Sequence, residues 1–312
     1  MPESVIVVEG LVQCFGEVRA LAGIDFTVRL GSILAVLGHN GAGKTSLIDI
    51  LSTRAKPTAG HASVCGFDVV RAARQVRRRI GVTGQFAALD DAVSPRENLR
   101  VLARLLGADR RQAGARAVEL IELFDLGGCA DLPARFCSGG LRRRLDLAAG
   151  LVGTPEVLFL DEPSTGLDPV SRSGLWDTVA ALAAEGTTVV LTTQYLEEAD
   201  RLADDVIVLG LGRITRAGTP ARLKAELGTQ IVAYTLHSAF EADQLAARIG
   251  EFGLPTSRQS ATTIAVAVTD PNEIVTLTRI VDATGLSLRE LTVSQPSLDD
   301  VYRQAHAAAV TA

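Results

Sequence analysis

GHNGAGKT, from Gly38 to Thr45, decides how this chain is read. It has the GxxxxGK[ST] spacing. It stands between Ser32 to Leu37, expected to be a buried strand, and Gly43 to Leu51, expected to be a helix. Glycines there let backbone N–H groups converge on phosphate oxygens where a β-carbon would crowd the loop. The helix N-terminus adds unsatisfied donors and a favourable dipole. Lys44 is expected to reach the β- and γ-phosphates of a nucleotide, and Thr45 to place its hydroxyl on Mg²⁺.

Further along, the hydrophobic run VLFLDE ends in two carboxylates, Asp161 and Glu162. Adjacent like charges are a poor structural choice at a buried strand end, and metal plus phosphate give a reason to tolerate them. Asp161 is assigned to Mg²⁺ through water. Metal binding would depress its basicity, so Glu162 is the expected base that polarises the attacking water. Gln85, after the short strand RIGVTG, can carry an amide oxygen to the metal, although a solvent-exposed glutamine is the commoner occurrence. CSGGLRRRLDLAAG places Ser138 and the N–H groups of Gly139 and Gly140 before a helix, a second anion-binding surface. A second cradle suggests two copies sandwiching nucleotide, and an ordinary capped helix is the plainer alternative. Arg142, Arg143 and Arg144 fit either solvent or acidic neighbours.

Working outward, buried runs alternate with helical spacing: Arg96 to Leu106, Arg110 to Phe124, RRRLDLAAGLV and GLWDTVAALAAEG lie among RIGVTG, EVLFLDE and TTVVLTT. Buried strands separated by crossover-length helices indicate an α/β sandwich with a largely parallel core. The composition changes near Gly218 to Gly228, so residues 1–228 are read as one domain and 229–312 as a small α+β domain, ferredoxin-like in its alternation. From Ile231 to Ala312 there are five arginines, no lysine and nine acidic residues, a charge of −4. The whole chain of 312 residues carries −5, which argues against wholesale nucleic-acid binding. No apolar run reaches the length of about 18 residues needed for a membrane span. MPESVIVVEG has no secretory pattern, so the expected compartment is the cytosol. Cys14, Cys65, Cys129 and Cys137 make no CxxC unit and suit isolated thiols rather than zinc.

Together these motifs resemble the ATP-binding cassette (ABC) family. Gly38 to Thr45 is similar to Walker A, Gln85 to the Q-loop, Ser138 to Leu141 to the signature, Val157 to Asp161 with Glu162 to Walker B, and PSTGLDP to the D-loop with Asp168. The resemblance implies a P-loop NTPase fold with a helical signature subdomain, and ATP with Mg²⁺ as cofactors. It implies Phe15 stacking on adenine, with Gly38, Asn40, Gly41, Gly43, Lys44, Thr45 and Ser46 from one copy and Ser138, Gly139 and Gly140 from the other holding the phosphates. RRRIGVTGQFAALD, RRRLDLA, LTTQYLEEADRLADD and the terminal PSLDDVY resemble bacterial drug-resistance exporter ATPases of the daunorubicin/doxorubicin type. That implies a homodimer at the cytoplasmic face of a bacterial membrane, beneath a separately encoded permease that exports a hydrophobic or amphipathic drug-like compound.

Two positions depart from the common pattern. Leu141 stands where many cassettes have glutamine, and the backbone donors survive that change. Gln194, in TTQYLEEAD, holds a switch position usually given to histidine. Its amide can donate to γ-phosphate and accept from backbone, but it cannot take a proton, which leaves the base role to Glu162. The rival readings are a non-transport cassette that remodels nucleic acid or ribosomes, and an ATP-gated binding module. One complete cassette, no zinc pattern and no basic tail weigh against the first; intact Asp161 and Glu162 weigh against the second.

Overall fold

The computed structural model describes residues 4–83, 89–227 and 230–311. The chain divides into two units, Met1–Gly218 and Thr219–Ala312. In the first, β1 (Ser4–Phe15) and β2 (Val18–Arg29) form an antiparallel pair, and β3 (Ile33–Leu37) runs into α1 (Lys44–Leu51). Then come β4 (Ala59–Val64), β5 (Phe67–Asp68), α2 (Ala73–Arg77) and β6 (Ile80–Thr83). Three helices follow, α3 (Pro95–Leu105), α4 (Arg110–Leu123) and α5 (Gly139–Gly150). The unit ends with β7 (Val157–Asp161), α6 (Pro169–Ala184), β8 (Thr188–Thr193), α7 (Leu196–Leu202), β9 (Asp205–Gly210) and β10 (Arg213–Gly218).

Two sheets result. One is ordered β2-β1-β4-β5; the other is ordered β10-β9-β3-β8-β7-β6 and is parallel except for the β9–β10 pair. ILAVL, VLFLD and TVVLTT are buried at every position, as strands covered on both faces must be. α1 covers one face, touching β2 and β4 on one side and β7 on the other. Its Leu47, Ile48, Ile50 and Leu51 join Ile6, Leu11 and Val64 of the first sheet to Val36, Phe159 and Val190 of the second in one core. Parallel register sets Leu37 level with Thr193 and Asp161 level with Thr192. The loops after β3, β7 and β8 therefore leave from one edge, the place where open α/β sheets bind ligands.

Capping sets where the helices begin. Ser94 accepts from the Glu97 N–H and Pro95 takes the first turn, so α3 starts there. Ser138 caps α5 and Asp168 caps α6, which puts both starts ahead of the apolar spacing that first signals them. α5 and β6 approach through two glycines: a β-carbon at Gly81 would stand 2.2 Å from the Gly150 carbonyl oxygen, and one at Gly150 would stand 2.7 Å from the Thr83 methyl. α6 and α7 are joined in the interior by the Trp176 indole N–H, which donates to Glu198 Oε1 at 2.9 Å. Burial pushes the Glu198 carboxyl up, with the Trp176 hydrogen bond pulling the other way.

In the second unit, α8 (Pro220–Ala225) and β11 (Gln230–Leu236) lead to α9 (Ala239–Gly250), β12 (Thr256–Arg258) and β13 (Thr263–Val268). α10 (Pro271–Thr284), β14 (Leu288–Ser294) and α11 (Leu298–Thr311) complete it. The sheet is antiparallel with order β12-β13-β11-β14, the split βαβ arrangement. Val232, Tyr234, Ile264 and Val266 pack with Leu245 and Ile249 of α9 and Leu277 and Ile280 of α10. The division between units falls before α8, which lies against α11, rather than after it near Gly228. β12 is an addition to the sequence reading, since Thr-Ser-Arg carries no apolar alternation.

Gly81→Ala is expected to cost about 1–3 kcal/mol by overpacking. Gly114→Ala, inside α4 with open space around it, is expected to stabilise by about 0.5–1 kcal/mol. Urea unfolding followed through Trp176, the single tryptophan, measures both. The raised Glu198 carboxyl gives a second expectation. Between its unfolded and folded pKa the native state holds the extra proton, so stability falls as pH rises through that window. Melting temperatures from the carboxylate range to neutrality should show Glu198→Gln gaining on the native protein as pH rises; parallel curves would contradict this.

Candidate active site

The loop after β3 closes on itself before α1. Gly43 has φ +105, and a β-carbon there would stand 2.4 Å from the Ala20 carbonyl oxygen, so only glycine fits. Lys44, nearly fully buried, donates from Nζ to the carbonyls of Gly38 at 2.7 Å and His39 at 3.2 Å. The same ammonium lies 3.3 Å from Glu162 Oε1. A buried ammonium needs such partners, because its desolvation is not otherwise offset.

Next to it, Thr45 Oγ1 donates to Asp161 Oδ2 at 3.1 Å, and Thr192 Oγ1 donates to Asp161 Oδ1 at 2.5 Å. Consecutive residues of α1 thus meet consecutive residues at the end of β7. An extended strand would send Asp161 and Glu162 to opposite faces. Glu162 instead adopts φ +47, in the left-handed region, where a non-glycine residue costs about 1–3 kcal/mol. Its N–H donates to the Thr192 carbonyl at 3.1 Å and to Thr192 Oγ1 at 3.0 Å. Thr165 Oγ1 donates to Glu162 Oε2 at 3.3 Å. Behind the peptide, Arg143 Nε donates to the Pro163 carbonyl at 2.6 Å, and its terminal nitrogen donates to those of Asp161 and Glu162, each at 3.2 Å. Burial pulls the Arg143 guanidinium down, opposed by the charges of Asp146 and Asp161.

A cleft of about 430 Å³ opens in front of these groups. Its lining brings together Asn40, Gly41, Gly43, Lys44, Thr45, Ser46 and Glu162, with Phe15, Val18 and Ala20 opposite. Phe15 is 57% exposed at the end of β1, an aromatic face available for stacking. The oxygens of Thr45 and Asp161 suit Mg²⁺, a hard cation that takes few protein ligands alongside phosphate oxygens and water.

The other expected residues are placed as follows. Gln194 is exposed, one residue beyond the buried end of β8. Ser138 accepts from the Leu141 N–H at 3.3 Å and starts α5 with Gly139 and Gly140. These three are not among the described residues that line the cleft. Asp168 is held by its own helix: it accepts from the N–H groups of Val170 and Ser171 and from Ser171 Oγ at 2.6 Å, and the Ser171 hydroxyl leads in holding it below the usual carboxylate range. Gln85 lies outside the described residues. The sequence reading did not single out Thr192, and it left Arg143 undecided. Two threonines closing an otherwise aliphatic buried run call for polar partners without naming them, and spacing does not choose among the arginines, since Arg142, Arg143 and Arg144 each stand three or four residues before a buried position of α5.

The profile of the ABC transporter family matches residues 21–165. The chain is 45% identical over 305 residues to the daunorubicin resistance ATP-binding protein DrrA3 of Streptomyces coeruleorubidus, covering 97% of this chain and 96% of that protein. It is 43% identical over 305 residues to the daunorubicin/doxorubicin resistance ATP-binding protein DrrA of Streptomyces peucetius, covering 96% and 92%. To the Nod factor export ATP-binding protein I of Burkholderia lata it is 40% identical over 233 residues, 74% of this chain and 77% of that protein. Among solved structures, the dimeric post-hydrolysis state of the ATP-binding cassette MJ0796 bound to ADP and Pi has the same fold: TM-score 0.63, 21% identity, 69% of this chain and 98% of that one. With a phosphate loop, an acidic strand end and a capped glycine helix start on that fold, and relatives alike along almost their whole length, the chain belongs to the ATP-binding subunits of the ABC transporter family.

Proposed function

We propose that this chain is the ATP-hydrolysing subunit of an exporter of hydrophobic or amphipathic drug-like compounds. The observation that carries the chemistry is the meeting of Lys44 and Glu162 at 3.3 Å in one cleft, a phosphate-binding cation beside a carboxylate base. The names of the daunorubicin-resistance and Nod factor export relatives support export.

Lys44 and the backbone N–H groups after Gly38 hold the β- and γ-phosphates, and Phe15 stacks on the base. Thr45 and Asp161 would hold Mg²⁺, with Gln85 as a further ligand, and a cation held there would supply positive charge to offset that developing on the phosphate oxygens. Glu162 accepts the proton of the attacking water, and Gln194 donates from its amide to the γ-phosphate, fixing position without exchanging a proton. Ser138, Gly139 and Gly140 of a second copy complete the phosphate shell, and Asp168 lies where the two copies face each other. The path for the compound belongs to a separately encoded permease; among the described residues no helix is long and apolar enough to cross a membrane. The pair of ATPases sits beneath it, at the cytoplasmic face of a bacterial membrane, and binds no nucleic acid. The first unit, Met1–Gly218, serves as the nucleotide-binding domain, and the second, Thr219–Ala312, serves regulation or assembly.

Glu162→Gln removes the base and keeps the shape. Turnover is expected to fall by about 10²–10⁴-fold, with ATP affinity retained and a closed dimer accumulating on size-exclusion chromatography. Fast multiple turnover by this variant would overturn the assignment. Gln194→Ala is expected to lower turnover about tenfold or more, matching one hydrogen bond to a charged group at about 1.5–3 kcal/mol. Equilibrium binding of a fluorescent ATP analogue should change far less; equal losses in both would place Gln194 in ground-state affinity instead.

A further inference from the structure

Arg143 is the third residue after the glycines that open α5, and its guanidinium does not reach the cleft lining. It turns inward, with its side chain 13% exposed, onto three successive carbonyl oxygens, those of Asp161, Glu162 and Pro163. Three carbonyls aimed at one point repel one another unless a cation with several donors lies between them. A planar five-donor guanidinium meets that need, and an ammonium meets it only in part. The peptide so gripped is the one with left-handed backbone at Glu162. Thr192 fixes its N–H side and Arg143 its carbonyl side, so the strained conformation is determined from both directions.

We propose that Arg143 is a positioning residue for hydrolysis: it holds the 161–163 peptide so that the Glu162 carboxylate faces the phosphate cleft, and it ties α5 to that base within the same chain. α5 starts at Ser138, five residues earlier, which is about 7.5 Å along the helix axis. A shift of that helix start pulls on the carbonyls behind Glu162. The positioning half stands on a single chain. The second half rests on the proposed face-to-face dimer: the helix start that senses phosphate in the partner's site adjusts the base of its own chain's site.

Arg143→Met fills the volume and removes the donors; Arg143→Lys keeps the charge. In the full-length chain, Arg143→Met is expected to lower kcat about 10- to 100-fold, the scale for a misplaced reacting group. The Kd for a fluorescent ATP analogue should change less than about threefold, and Arg143→Lys should recover part of kcat. Circular dichroism and the urea midpoint identify a variant that fails to fold, in which case Arg143→Lys against the native chain decides by the same split. Loss of Kd in parallel with kcat, or lysine and methionine being equally poor with folding intact, overturns the proposal.

Mixed dimers test the link within one chain. With Arg143→Met and Glu162→Gln in the same copy, the native partner keeps a held base, and turnover should match a dimer carrying Glu162→Gln alone. With the two changes in opposite copies, turnover should fall several-fold below that, and equal turnover in the two arrangements overturns the link. If no dimer forms with ATP, the dimer reading fails, and the comparison of kcat with Kd still judges Arg143 on its own.

Discussion

The buried ammonium of Lys44 is the constraint around which the first unit is built. At 4% exposure it cannot rely on water, and two loop carbonyls with the Glu162 carboxylate stand in for it. Those partners come from segments more than one hundred residues apart, so the cation is satisfied only when β3 and β7 lie in register in one sheet. The intervening strand β8 does that. Its Thr192 takes one oxygen of Asp161 and also accepts the Glu162 N–H, locking the acidic strand end to the middle of the sheet. The catalytic geometry is therefore a consequence of strand order as much as of the loop that bears the lysine.

Placing two carboxylates side by side carries a cost in repulsion and desolvation. The structure reduces it by giving each its own partners. Asp161 receives two hydroxyls and Glu162 receives an ammonium and a hydroxyl, and the left-handed turn between them turns both toward α1. The Thr45 hydroxyl and the Lys44 ammonium come from residues that also suit Mg²⁺ and phosphate, so part of the arrangement that stabilises the folded chain is the one that would receive the nucleotide.

Much of this was readable in advance where the signal is local. The glycine loop between strand and helix, the carboxylates closing an aliphatic run and the serine before two glycines each occupy a few consecutive residues, and each was placed correctly relative to its element. The starts of α5 and α6 were read late by several residues, because a cap such as Ser138 or Asp168 acts before apolar spacing begins. Arg143 and Thr192 were not legible for a different reason. Their partners lie 18 to 31 residues away in sequence, and nothing in RRR says which of three arginines turns inward. β12 escaped because a three-residue polar strand is defined by pairing with β13, not by its own composition.

Gln194 stands exposed just beyond β8, and the proposed role for it bears on Glu162. An amide offers a donor and an acceptor but no titration near neutrality, so in the proposed site Gln194 does not share the proton with Glu162. The proposed reading gives the proton to Glu162 alone, and proton transfer depends steeply on the distance and direction of the base. A base that acts alone has to be held more tightly than one with help. That is the condition in which strained backbone at Glu162, fixed by Thr192 in front and by three hydrogen bonds from Arg143 behind, becomes worth its cost to stability.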